Sequence, residues 1–143
     1  MVTLVIAVTA GAGVWLLRNK DPIPQAIRQQ ANFSLYYPAG IPIDKGSIQL
    51  TNGKLLSYTV HYQGSVIYIT IQSKPQYFDF ASFDKGIKSS TVVTTPYGNA
   101  TIGTLGGRMI GDLPAIDSWV LLSSQTKTPT ASLADILRQL KKD

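Results

Sequence analysis

Cysteine and glutamate are both absent from this chain of 143 residues, and histidine occurs once, at His61. Without thiols there can be no disulfide, no thiolate metal site and no cysteine nucleophile. A lipid-modified N-terminal cysteine is excluded for the same reason. A single imidazole cannot build a multi-histidine metal site, so no metal and no cofactor is expected. Basic clusters are also missing: Lys45, Lys54, Lys74, Lys85, Lys88 and Lys127 stand singly between apolar runs, and only Lys141 and Lys142 adjoin. A nucleic-acid binder gathers its cations into a stripe that replaces phosphate counterions, so nucleic acid is not an expected partner despite a formal net charge of +5.

What the chain does contain is hydrophobic residues, 44% of the total against 15% charged. That composition and length fit one domain with a real core. The first hydrophobic stretch, Val2 to Leu17, reads VTLVIAVTAGAGVWLL without a charge. With Met1 it reaches the lower limit for spanning a bilayer, about 17 residues. Trp15 stands where an interfacial aromatic belongs, and Arg18 and Lys20 can reach the headgroups. A cleaved signal peptide and a buried helix of a soluble domain are the competing readings; the first is carried by Ala10-Gly11-Ala12, but no basic residue precedes that run and Val14-Trp15-Leu16-Leu17 prolongs it. A pilin-like subunit shares the architecture yet usually needs an early glutamate, which is missing here. The expectation is therefore a single-pass membrane anchor over 1–19 and a juxtamembrane linker over 20–31, with the membrane as the first partner. Read literally, Arg18 and Lys20 would hold the following domain in the cytoplasm; a basic stretch ahead of Met1 in a longer chain would reverse that.

From 32 to 143 the punctuation is that of antiparallel hairpins. Asp21-Pro22-Ile23-Pro24 makes a stiff extended exit, and a short helical turn fits Gln25 to Ala31. Strands are expected over Phe33–Tyr37, Ile48–Thr51, Leu55–Tyr62, Val66–Gln72, Ser90–Thr95, Asn99–Thr104, Arg108–Leu113 and Ser118–Ser123. Asn52-Gly53 favours a tight primed turn between two of them. Phe78, Phe80, Ala81 and Phe83, around Asp79 and Asp84, read as a short helix or loop that lays aromatics on the sheet. Leu133, Ile136, Leu137 and Leu140 make one apolar helical stripe, with Ser132 and Asp135 at capping-box spacing and Lys141 and Lys142 at the favourable end of the dipole. The fold class is therefore α+β: a curved antiparallel sheet covered on one face by a C-terminal helix and preceded by one transmembrane helix.

Chemistry is sparse. His61 alternates with Ser57 and Thr59, which sets it on the polar face of a strand. Ser82-Phe83-Asp84-Lys85 has the spacing of a serine–lysine hydrolase, but no second motif accompanies it. Asp79 and Asp84 lack the interleaved acids of a calcium loop, and Gly103 to Arg108 lacks the lysine ending of a phosphate loop. Asn32-Phe33-Ser34 and Asn99-Ala100-Thr101 have the form of glycosylation acceptors. Tyr36, Tyr37, Tyr58, Tyr62, Tyr68, Phe78, Phe80, Phe83 and Trp119 fit either a packed core or the lining of an apolar pocket. No catalytic, cofactor-binding or metal residue is assigned.

The order Leu35-Tyr36-Tyr37-Pro38, Ile41-Pro42, a hairpin, an isoleucine-rich strand, and Trp119-Val120-Leu121 before a C-terminal amphipathic helix resembles a known group. It is similar to the uncharacterised extracytoplasmic domains that follow a single membrane helix in some bacterial anti-sigma factors and small envelope proteins, with an architecture like that of lipoprotein carriers. The resemblance, over Phe33 to Leu140, implies an extracytoplasmic domain of the bacterial envelope. The expected function is a non-catalytic, membrane-anchored binding or sensing module whose further partner is a protein or an apolar ligand. The alternative is a carrier of a lipid or apolar peptide.

Overall fold

A computed structural model describes residues 22–143, so the anchor expected over 1–19 lies outside the described residues. Among the described residues no helix is long and apolar enough to cross a membrane. Helix α1 (Gln25–Gln30) opens the described chain, and strand β1 (Tyr36–Pro38) follows. The first hairpin series is β2 (Gln49–Thr51), β3 (Leu55–Tyr62) and β4 (Ser65–Ser73). After helix α2 (Phe80–Lys85) comes a second series, β5 (Lys88–Thr95), β6 (Gly98–Leu105), β7 (Arg108–Pro114) and β8 (Ser118–Gln125). Helix α3 (Thr130–Arg138) and strand β9 (Leu140–Lys142) close the chain.

The two series form one open, antiparallel, seven-stranded sheet in the order β2-β3-β4-β8-β7-β6-β5. The turns explain the hairpins. Asn52 and Gly53 both have positive φ, 54° and 67°, and Lys54 N–H donates to the Thr51 carbonyl at 2.9 Å. Gln63 and Gly64, at 50° and 78°, make the same kind of primed turn between β3 and β4, whose twist matches that of the flanking strands.

Alternation then divides the sheet into two faces. Leu56, Tyr58 and Val60 of β3, Ile67, Ile69 and Ile71 of β4, and Val120 and Leu122 of β8 are all buried on the inner face. Leu113, Ile102, Ala100 and Val93 continue that face across β7, β6 and β5. Helix α3 lies over the β5–β7 end and buries Leu133, Ala134, Ile136 and Leu137. Gly111 permits the close approach, because a Cβ there would stand 3.3 Å from Leu137 Cδ1 and 3.4 Å from Leu122 Cβ.

The rest of the inner layer is a two-stranded sheet, β1 paired antiparallel with β9. Buried Tyr58 donates its hydroxyl proton to the Tyr36 carbonyl at 2.8 Å, tying that small sheet to the large one. Ile23 is 1% exposed and belongs to the same core.

Because β4 is central and β5 is an edge, the connection between them must cross the outer face past β8, β7 and β6. Segment 74–87 makes this crossing. Phe78, Phe80 and Phe83 each pack on Trp119 of β8, with ring centroids 4.9, 5.4 and 5.6 Å away. At the far end buried Ile87 meets Gly103, where a Cβ would fall 2.4 Å from the Lys88 carbonyl oxygen and 2.6 Å from Ile87 Cγ2.

Three local expectations need correction. The C-terminal helix stops at Arg138, and Leu140–Lys142 is strand instead, because its backbone groups find partners in β1. Ser132 and Asp135 do not cap: the helix starts earlier, at Thr130, and their side chains turn to the β3–β4 hairpin. Ser132 donates to Gln63 Oε1 at 3.0 Å and Asp135 accepts from the Tyr62 hydroxyl at 2.9 Å. The first aromatic strand begins at Tyr36 rather than Phe33.

Candidate functional site

The two edges of the large sheet are treated differently. Strand β2 has three residues, too few to template another chain. Strand β5 has eight, and its pairing with β6 is irregular between Lys88 and Thr91, where Ser89 takes a φ of 52°. That bulge and Lys88 guard one end; Pro96 guards the other. Between them lies a window, Thr91-Val92-Val93-Thr94-Thr95, with no charge and no proline. Thr91, Val92 and Thr94 are exposed, Val92 by 63%. An edge strand presents a row of N–H and C=O groups to whatever extended chain approaches.

The window runs into a groove of about 470 Å³ lined by Tyr36, Pro96, Tyr97, Gly98, Ile116, Asp117 and Lys142. Tyr97 stacks edge-on against Tyr36 at 4.8 Å, and its hydroxyl accepts from the Lys142 N–H at 2.8 Å. Thus the β5–β6 turn is fixed to β9. Ile116, at the tip of the β7–β8 turn, is 93% exposed. Asp117 forms the polar wall: it accepts a hydrogen bond from Ser34, lies 3.4 Å from the Tyr36 hydroxyl and pairs with Lys142 at 3.5 Å. The Ser34 hydroxyl, then Lys142, hold its carboxyl below the usual aspartate range. Burial first, and then the Asp117 charge, push the Tyr36 phenol up to about 12, so it remains a neutral donor. The groove therefore offers aromatic and aliphatic surface beside one compensated ion pair.

A second arrangement lies on the outer face under the crossing segment. Asp112 of β7 is fully buried, and its Oδ1 accepts from the Trp119 indole N–H. Its other oxygen, and Oδ1 of Asp84 on α2, are buried without a hydrogen-bond donor. The two carboxyls stand close enough to act on one another's charge. Burial, reinforced by Asp84, pushes Asp112 up to about 7, while the indole opposes the shift.

The residues singled out in the sequence do not converge. His61 is exposed on β3, on the polar face as expected. The Ser82 hydroxyl donates to Asp79 Oδ2 at 2.6 Å, and Asp79 in turn caps α2 by accepting from the Ser82 N–H at 3.0 Å. Ser82 thus serves the helix start, and these bonds keep the Asp79 carboxyl low. Asp84 turns toward Asp112, not Asp79. The aromatics divide: Tyr36, Tyr37 and Tyr58 are core, Phe78, Phe80, Phe83 and Trp119 form the outer cluster, and half-exposed Tyr68 carries Arg108 over its ring at 5.7 Å. Arg108 Nε also donates to Ser123 at 2.6 Å.

Sequence reasoning missed Asp112 and Asp117. Asp112 stands between Gly111 and Leu113 and reads as a solvent-facing strand residue; its burial comes from the crossing segment with helix α2, far earlier in the chain. Asp117 reads as an ordinary turn aspartate. Among the described residues no group of three or more His, Asp or Glu side chains could hold a metal ion. Comparison with known proteins found no matching family model, no significantly matching curated protein and no significantly matching solved structure.

Proposed function

We propose that the chain is a non-catalytic binding module, held at the membrane by residues 1–19 with its domain on the extracytoplasmic side, that takes up extended protein segments by strand addition along β5. The observation that carries this reading is the uncharged window Thr91–Thr95, framed by a bulge and Pro96 while the opposite edge is cut to three residues. Strand addition draws affinity from main-chain hydrogen bonds and specificity from pockets for individual side chains. The groove of Tyr97, Pro96 and Ile116 stands at the end of the window and suits one apolar side chain of the bound segment. The resemblance to envelope domains behind a single membrane helix, and the charge-free stretch Val2 to Leu17, support the anchored topology.

The carrier alternative requires a void between sheet and helix. Here Ile69, Val120, Leu122, Leu133, Ile136 and Leu137, all at 0% exposure, belong to one continuous core of sheet and helix, which favours binding at the surface. Selection of random unstructured peptides against the full-length chain tests the reading. Peptides are expected whose affinity falls at least about tenfold in Val92→Lys, a change on an exposed side chain that places a charge on the edge. Selected peptides indifferent to Val92→Lys, or none selected while an apolar small molecule co-purifies in native mass spectrometry, would count against it.

A further inference from the structure

We propose that Asp84 and Asp112 form a proton-operated latch that holds the crossing segment, 74–87, against the outer face of the sheet. The inference rests on geometry that the strand-addition reading does not use. Two carboxyl oxygens, Asp84 Oδ1 and Asp112 Oδ2, are buried with no donor directed at them, and an unsatisfied buried acceptor is costly. A single proton shared between the two carboxyls satisfies both oxygens. It also removes the repulsion of two anions in a site that excludes water.

The surroundings leave the pair without another source of compensation. From β8, Trp119 supplies its indole N–H to Asp112 Oδ1. From β6, Thr101 stands beside Asp112 in register, and from β8 Leu121 does; neither is charged. On α2, Asp79 is engaged with Ser82, and Lys85 is exposed at the helix end. Lys74 lies over the Phe80 ring at 5.4 Å, and Arg108, two pairs along β7, is bonded to Ser123. Among the described residues no cation is within ion-pair distance of either carboxylate.

The sign follows from the raised Asp112 group. Its stabilisation of the closed segment is complete below the ordinary aspartate range and is lost as pH rises through about 7. Over that interval the opening equilibrium rises by up to about tenfold per pH unit. Opening uncovers Trp119, Phe80 and Phe83, so the segment is a pH-dependent cover on an aromatic patch.

Hydrogen exchange of amides 80–87, measured on the full-length chain at pH 5 and pH 7.5 and corrected for intrinsic rates, tests the latch. Protection is expected to fall at least about tenfold at the higher pH in the native sequence. In Asp112→Asn it should be nearly independent of pH. Asp84→Asn, a change on the less buried partner, should behave likewise and covers the case in which Asp112→Asn does not fold. Trp119 fluorescence in a Trp15→Phe background should report the same transition. Flat protection in the native sequence, or an unchanged pH response in Asp84→Asn, would overturn the proposal. So would recovery of protection at pH 7.5 on adding calcium or magnesium chloride, since the pair would then be a cation site.

Discussion

The contact between α3 and the sheet can be probed by a pair of substitutions whose effects should not add. Leu137 is fully buried, and Leu137→Ala removes three carbons worth about 0.8 kcal/mol each in transfer, so about 2.4 kcal/mol, and about 3 kcal/mol with the cavity term. Gly111→Ala places a methyl group 3.3 Å from Leu137 Cδ1 and 3.4 Å from Leu122 Cβ. That crowding costs about 1 kcal/mol, nearly offset by the lower chain entropy of alanine in the unfolded state. Combined, the new methyl enters the space that Leu137 vacated. The double variant should therefore be about 1 kcal/mol more stable than the sum of the single changes, a coupling within the range measured for residues in contact. Urea denaturation of the full-length chain, followed by circular dichroism, gives the cycle. Additivity within about 0.3 kcal/mol would refute the direct contact of α3 with β7.

Two further outcomes follow from single contacts. Tyr58→Phe removes the buried donor to the Tyr36 carbonyl and should cost about 1–3 kcal/mol by leaving that oxygen unsatisfied; thermal unfolding measures it, and a cost below about 0.3 kcal/mol would mean that the small sheet is not tied to the large one through this bond. Gly103→Ala forces a methyl group into the Lys88 carbonyl and Ile87, so hydrogen exchange at 86–90 should accelerate at all pH values, unlike the pH-dependent response expected of the latch; unchanged exchange there would show that the crossing segment does not need the glycine.

Most of the large sheet could be read from the chain because each strand carries its own evidence. Asn52-Gly53 marks a turn, Ile67, Ile69 and Ile71 alternate, and Trp119 to Leu122 is too apolar to be anything but half-buried. What period-two patterns cannot carry is partnership. Nothing local states that β8 returns to pair with β4, and that return sends segment 74–87 across the outer face. Asp112 is buried by this consequence of topology, so its role was illegible beforehand. Leu140 misled for a different reason. It continues the helical stripe of Leu133, Ile136 and Leu137, but Gln139 leaves the helix and the backbone of Leu140–Lys142 finds better partners in β1. The open edge follows from topology as well, because Ser90 to Thr95 reads as a strand without any sign that only one side of it is paired.

Strand addition at that edge has a direct spectroscopic signature. Amide chemical shifts of the full-length chain in detergent micelles should be recorded with and without a selected extended peptide. Perturbations and new protection from exchange are expected to centre on Thr91 to Thr95, with a smaller response at Tyr97 and Ile116. Binding that leaves those amides unchanged and instead perturbs the Tyr68 and Arg108 surface, or the interior residues under α3, would contradict strand addition.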